Sequence, residues 1–138
     1  MYNNLANLLV AEEQTLGQYQ VSIARHSGER WTPTVPPLIA IITNFRLILQ
    51  PQTMKVHKPA SIPSYYVIKI NHVILDRHDG VQMVLRTGHV MNMFVAVNRG
   101  ENFVEMFKQV CTPPWRKRFI PRTSHDDIRK LITFVRTI

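Results

Sequence analysis

"IITNFRLIL", residues 41–49, places an arginine inside an apolar run. The full run, 38–49, is too long and too rich in β-branched residues for one ordinary strand. Thr43 and Asn44 lie at its middle, and asparagine tolerates the positive φ that a tight turn demands. A turn over residues 43–46 folds the run into a hairpin of two strands, 38–43 and 45–50. Arg46 then opens the second strand. At that place it is expected to serve the fold, paired with a carboxylate or with backbone carbonyls, rather than to bind a ligand.

Working outward, residues 16–25 alternate loosely and read as a first strand. "HSGERWTPTVPP" (26–37) reads as a loop, because Gly28, Pro33, Pro36 and Pro37 interrupt any sheet. "PQTMKVHKPASIPS" (51–64) reads as a second irregular, basic loop. Strands are expected at 66–71, 73–77, 81–87 and 90–97. The turns between the last three are "RHDG", with Asp79-Gly80 at the bend, and "TGH", where Gly88 takes a positive φ. Strands spaced this closely pair antiparallel. Residues 102–111 change period: Phe103, Met106, Phe107 and Val110 mark one apolar helical face. A short helix is also expected over 3–13, from Leu5, Leu8 and Leu9. Another is expected over 125–137, capped by Ser124 and carrying Ile128, Leu131, Ile132 and Val135. About seven short antiparallel strands and a closing helix describe a small barrel or sandwich plugged at one opening.

The 138 residues suffice for one domain, taken as 1–111, followed by a basic linker and terminal amphipathic helix over 112–138. No apolar run approaches the ~18–20 residues of a membrane helix, and "MYNNLANLLVAEEQ" lacks the basic start of a signal peptide. A single cysteine, Cys111, excludes an internal disulfide and a cysteine-rich zinc site, and suits the cytoplasm. Charge is the strongest compositional feature: 17 Lys+Arg against 9 Asp+Glu. Residues 112–138 hold seven of the cations and two of the anions, a net +5, and the first 111 residues hold a net +3. A basic tail on a nearly balanced body points to an acidic partner.

Four stretches resemble the GRAM domain, a member of the PH-like superfamily. They are "EEQTLGQYQVSI" (12–23), "IAIITNFRLIL" (39–49), "ASIPSYYVIKI" (60–70) and "NFVEMFKQV" (102–110). Thr43-Asn44-x-Arg46-Leu47 and Ser61-Ile62-Pro63 carry the specificity of the match, which spans about residues 10–111. The tail from Thr112 has no counterpart. The resemblance implies a mainly β, α+β fold: a PH-like barrel of about seven strands in two orthogonal antiparallel sheets, capped by a C-terminal helix. It implies a non-catalytic module binding phosphoinositides, other acidic lipids or proteins. It also implies a headgroup site between the loops after strands one and three. Those loops hold Arg25, Arg30, Lys55 and Lys58, with His26 and His57 beside them, and Trp31 is suited to a membrane interface.

The tail stretch "PPWRKRFIPR" (113–122) sets Arg116, Lys117, Arg118 and Arg122 among Trp115, Phe119 and Ile120. That composition suits an anionic membrane surface, and less strongly phosphate contact and base stacking on single-stranded nucleic acid. Six histidines show no metal-ligand spacing, although His72 and His78 are placed to meet across a strand pair; no metal or other cofactor is expected. No nucleophile motif or phosphate-cradling glycine loop appears, so no enzyme is expected. The leading expectation is a cytoplasmic adaptor, peripheral to the membrane, docking on an acidic surface through basic loops and tail. The alternative is a protein-interaction or homodimerisation module whose contact is the last helix.

Overall fold

The computed structural model describes residues 12–34, 37–52 and 59–111. Lys55, His57, Lys58, the basic tail and the expected terminal helix over 125–137 lie outside these residues. So does the expected first helix, save for Glu12 and Glu13, which are not helical; Glu12 sits in a turn with φ 67°.

The described residues form eight antiparallel strands and one long helix. The strands are β1 (Thr15–Ser27), β2 (Arg30–Pro33), β3 (Leu38–Thr43), β4 (Arg46–Pro51), β5 (Ala60–Pro63), β6 (Val67–Leu75), β7 (His78–Leu85) and β8 (Val90–Val95). The helix is α1 (Gly100–Cys111), and short 3-10 turns lie at Ser64–Tyr66 and Ala96–Asn98. The ladder runs β5-β4-β3-β1-β8-β7-β6, with β2 paired to β1 alone. The thirteen residues of β1 serve three partners in succession: β3 along 15–21, β8 along 21–23 and β2 along 24–27.

Three expectations are corrected. The segment 26–37 is not a loop throughout, because β1 continues to Ser27 and β2 pairs back on it from Arg30. Pro33 is tolerated because β2 has only one partner, so no second ladder needs its missing N–H. β2 and β5, the latter inside the segment 51–64 read as a loop, are both additional strands, and the fusion of two expected strands described next leaves eight rather than about seven. Second, 66–71 and 73–77 are one strand. The bend falls at Asp76-Arg77, both left-handed (φ 50° and 70°), not at Asp79-Gly80. Gly80 lies within β7 for another reason: a Cβ there would stand 2.7 Å from the Met93 carbonyl oxygen and 2.9 Å from Leu75 Cδ1. Third, His72 and His78 do not meet; the register sets His72 opposite Val81 and His78 opposite Leu75. The Gly88 turn has its expected positive φ, 88°.

Strand alternation sends one face of each strand into a single core. Tyr19, Val21 and Ile23 of β1 meet Leu38, Ala40 and Ile42 of β3, Val81, Met83 and Leu85 of β7, and Met91, Met93 and Val95 of β8. α1 closes this core with Phe103, Val104, Phe107 and Val110, all buried. The Tyr19 ring lies 4.9 Å from that of Phe103 and its hydroxyl donates to Asn102 Oδ1. The Arg99 guanidinium stacks 4.4 Å above the Tyr19 ring centroid. Burial raises the Tyr19 hydroxyl pKa above its ordinary value, and Arg99 opposes that rise.

The turn in the opening stretch fastens the other end of the barrel. Arg46 grips Glu13 with two parallel bonds, Nε to Oε2 at 2.8 Å and Nη2 to Oε1 at 2.9 Å, and donates from Nη1 to Ser61 Oγ at 3.0 Å. Thr43 Oγ1 donates to Glu13 Oε2 at 2.6 Å and accepts the N–H groups of Phe45 and Arg46. Asn44 holds the flanking backbone: its Oδ1 accepts Gln14 N at 2.7 Å, and its Nδ2 donates to the Glu12 carbonyl at 3.1 Å. The Glu13 side chain is fully buried and that of Arg46 is 12% exposed. Desolvating a carboxylate costs several kcal/mol, and charge-assisted bonds from a planar fork offset that cost.

Two predictions follow from this packing. Glu13→Ala and Arg46→Ala, read by urea denaturation, should each cost about 3–5 kcal/mol, because each strands a buried charge. Glu13→Leu/Arg46→Met should cost far less than the sum of the two. Single losses under about 1 kcal/mol would refute a structural role for the pair. Gly80→Ala should cost about 1–3 kcal/mol through overpacking against the Met93 carbonyl; an unchanged midpoint would refute that close approach.

Candidate functional site

Away from the Glu13–Arg46 pair, three connections enclose a cleft of about 430 Å³. The β1–β2 hairpin forms one wall, the Asp76-Arg77 turn another, and the Ala96–Asn98 turn closes the end. Gln20, Ser22, Trp31, Arg77, Phe94 and Val97 are among its lining residues.

Each wall is positioned by identifiable bonds. The Trp31 backbone N–H donates to Asp76 Oδ2 at 2.6 Å, tying the hairpin across to the β6–β7 turn. The Trp31 ring packs 4.8 Å from His26, its direct neighbour across the hairpin. His78 meets Phe94 edge-on at 5.8 Å. Asp79 binds His72 Nε2 through one carboxylate oxygen and accepts Gly100 N at 2.5 Å through the other. That places a carboxylate at the N-terminus of α1, where the backbone dipoles favour negative charge. A Cβ at Gly100 would lie 2.7 Å from the same carboxylate, so only glycine admits it.

The closing turn is strained. Val97 has φ 61° and ψ 29°, and Asn98 follows with φ 55°. A β-branched residue in the left-handed region costs on the order of 1–3 kcal/mol. Val97 nevertheless stands 85% exposed at the cleft. Strain and apolar exposure in one residue are both unfavourable, which makes this turn a candidate contact surface.

The structure places the candidate residues of the first loop as follows. Arg25, Arg30 and Trp31 all lie on paired strands. Alternation sets Trp31 on the cleft side with Pro33, while Arg25 and Arg30 project from the opposite face of the hairpin. Lys55, Lys58, Trp115, Arg116, Lys117, Arg118 and Arg122 lie outside the described residues. Gln52, the last described residue before Lys55 and Lys58, donates its N–H to the Pro37 carbonyl at 3.2 Å. The sequence reading passed over Arg77, Phe94 and Val97. Arg77 was hidden by the misplaced turn, and nothing in the sequence marked the backbone of Val97.

Electrostatically the site is mixed. The side chains of Arg30 and Arg77 are exposed and make no hydrogen bond or ion pair among the described residues, and Glu29 adds a negative charge at the hairpin tip. The described residues hold eight Lys/Arg against seven Asp/Glu. They contain no cluster of His, Cys, Asp or Glu arranged to hold a metal ion, and no helix long and apolar enough to cross a membrane.

No family model matches the chain, and no curated protein matches it in sequence. Similarity is found among solved structures. The fold superimposes on a crystal structure of the N-terminally truncated linker-DH/PH domains of p115-RhoGEF with a TM-score of 0.53 at 9% sequence identity. The match covers 80% of this chain and 32% of that one. At this identity the likeness concerns architecture alone. An antiparallel barrel with one C-terminal helix across its opening, superimposing on that structure, has a PH-like fold.

Proposed function

We propose that the chain is a non-catalytic PH-like binding module of the GRAM type, which docks on an acidic surface, an anionic membrane foremost. The observation that carries this reading is the division of charge. The described barrel is nearly neutral, whereas the remaining residues hold nine Lys/Arg against two Asp, a net +7. A basic excess in the sequence is suited to an acidic partner. Each Lys or Arg near an anionic leaflet contributes about 1 kcal/mol, so residues 116–122 alone supply about 4 kcal/mol. Trp31 and Val97 add an apolar element, since tryptophan favours the headgroup level of a bilayer.

The GRAM assignment is supported by the roles of Thr43, Asn44 and Arg46, the residues that carry the resemblance: they fasten Glu12–Gln14 to the barrel. A cytoplasmic, membrane-peripheral location accords with the single cysteine. A second reading, a protein-interaction module without a lipid ligand, is favoured by the cleft itself. Its lining is apolar at Phe94, and among the described lining residues Arg77 is the one Lys or Arg.

Vesicle co-sedimentation separates the two readings. The full chain should bind vesicles containing phosphatidylserine, ignore neutral ones, and release as salt rises past about 0.2 M. Arg116→Ala/Lys117→Ala/Arg118→Ala should weaken binding roughly 100-fold, as expected for about 3 kcal/mol. Trp31→Ala should weaken it further. A folded sample that ignores anionic vesicles at low salt would overturn the membrane reading and leave the protein-interaction one.

A further inference from the structure

The two ends of the ladder differ. β5 is four residues long and finishes in Pro63, a blunted edge. β6 is nine residues long, contains no proline, and pairs with β7 on one side only. Among the described residues nothing pairs its other edge. Exposed edges are usually protected by charge, proline or brevity; β6 has Lys69 as its single formal charge. Instead it exposes isoleucines near both ends, Ile68 at 58% and Ile74 at 61%.

The register shows which backbone groups face that edge. The β6–β7 turn has two residues, so its flanking pair, Leu75 and His78, is the hydrogen-bonded one. Alternation then directs the backbone groups of Ile70, His72 and Ile74 away from β7. A register shift between Val67 and Lys69 leaves Ile68 with no residue opposite it on β7.

We propose that β6 pairs antiparallel with β6 of a second copy, about a two-fold axis through Asn71. In that register Ile68 lies opposite Ile74 of the partner subunit, and the symmetry repeats the apolar pair at the other end. Ile70 faces His72 of the partner subunit, Lys69 faces Val73 of the partner subunit, and no two like charges oppose each other. Other registers are poorer. Centring the axis on Ile70 sets Ile68 against histidine, and centring it on His72 stacks two histidines and leaves Ile68 beyond the strand. This inference is independent of what the cleft binds.

One strand pair is a small interface, so a weak dimer is expected. Sedimentation velocity of the full chain over roughly 5–500 μM should show its mass rising toward twice 16.1 kDa. Ile68→Lys and Ile74→Lys should each weaken association more than about tenfold, because each sets a charge against an isoleucine. Ile68→Glu/Ile74→Lys should restore it, because the two new charges of opposite sign face each other across the axis. Both positions are exposed, so circular dichroism should be unchanged throughout. In a Cys111→Ser background, Asn71→Cys should form a cross-linked dimer under mild oxidation, since such a pair lies about 4.5 Å apart between Cα atoms. Asn92→Cys, on β8, should not. A monomer at every concentration overturns the proposal, and so does a dimer indifferent to all the β6 substitutions.

Discussion

The barrel depends on one buried ion pair. Glu13 enters before β1 begins, and Arg46 stands 33 residues later at the head of β4. Their two parallel bonds join the start of β1, the longest described strand, to the β3–β4 turn. Thr43 and Ser61 satisfy further polar atoms of the pair, so β3, β4 and β5 all converge on it. A fully buried carboxylate has one acceptable arrangement here. Loss of that arrangement leaves an unsolvated charge rather than a weaker contact. This asymmetry ties the register of three strands to a single point.

At the opposite end, close approach takes over from charge. Gly80 admits the Met93 carbonyl, and Gly100 admits the Asp79 carboxylate that begins α1. Asp79 is thereby held between a histidine and a helix terminus, while its neighbour Asp76 reaches over to the hairpin backbone. The cleft walls are short connections fixed by carboxylates at their bases. Val97 is the exception, an exposed apolar residue on a strained backbone. Its turn is held between β8, which ends at Val95, and α1, which begins at Gly100.

Much of this architecture was legible from residue pattern. The 43–46 turn, the period change at 102–111 and the structural character of Arg46 were all readable, because each is a local signal. The partner of Arg46 was not identifiable, since nothing local distinguishes Glu13 from Glu12. The bend at Asp76-Arg77 was misplaced because Asp79-Gly80 has better turn chemistry, and the tertiary demand on Gly80 overrode it. Pro33 and Gly28 suggested a loop where a hairpin stands, because a one-sided strand tolerates proline. The cleft was the least legible part. Trp31 was marked by its chemistry, but its separation from Arg25 and Arg30 depends on pairing register. Val97 contributes through a backbone conformation that no residue type announces.

The course of α1 has a consequence for how force and position pass through the molecule. The helix starts at Asp79, beside the cleft, and reaches the Ser64–Tyr66 turn, whose Tyr66 carbonyl accepts Arg86 N at the far end of β7. Its twelve residues span about 18 Å. Ser64 N in turn donates to the Phe45 carbonyl, next to the Arg46 pair. The helix thus ties the cleft to the turn beside the buried ion pair as one rigid strut.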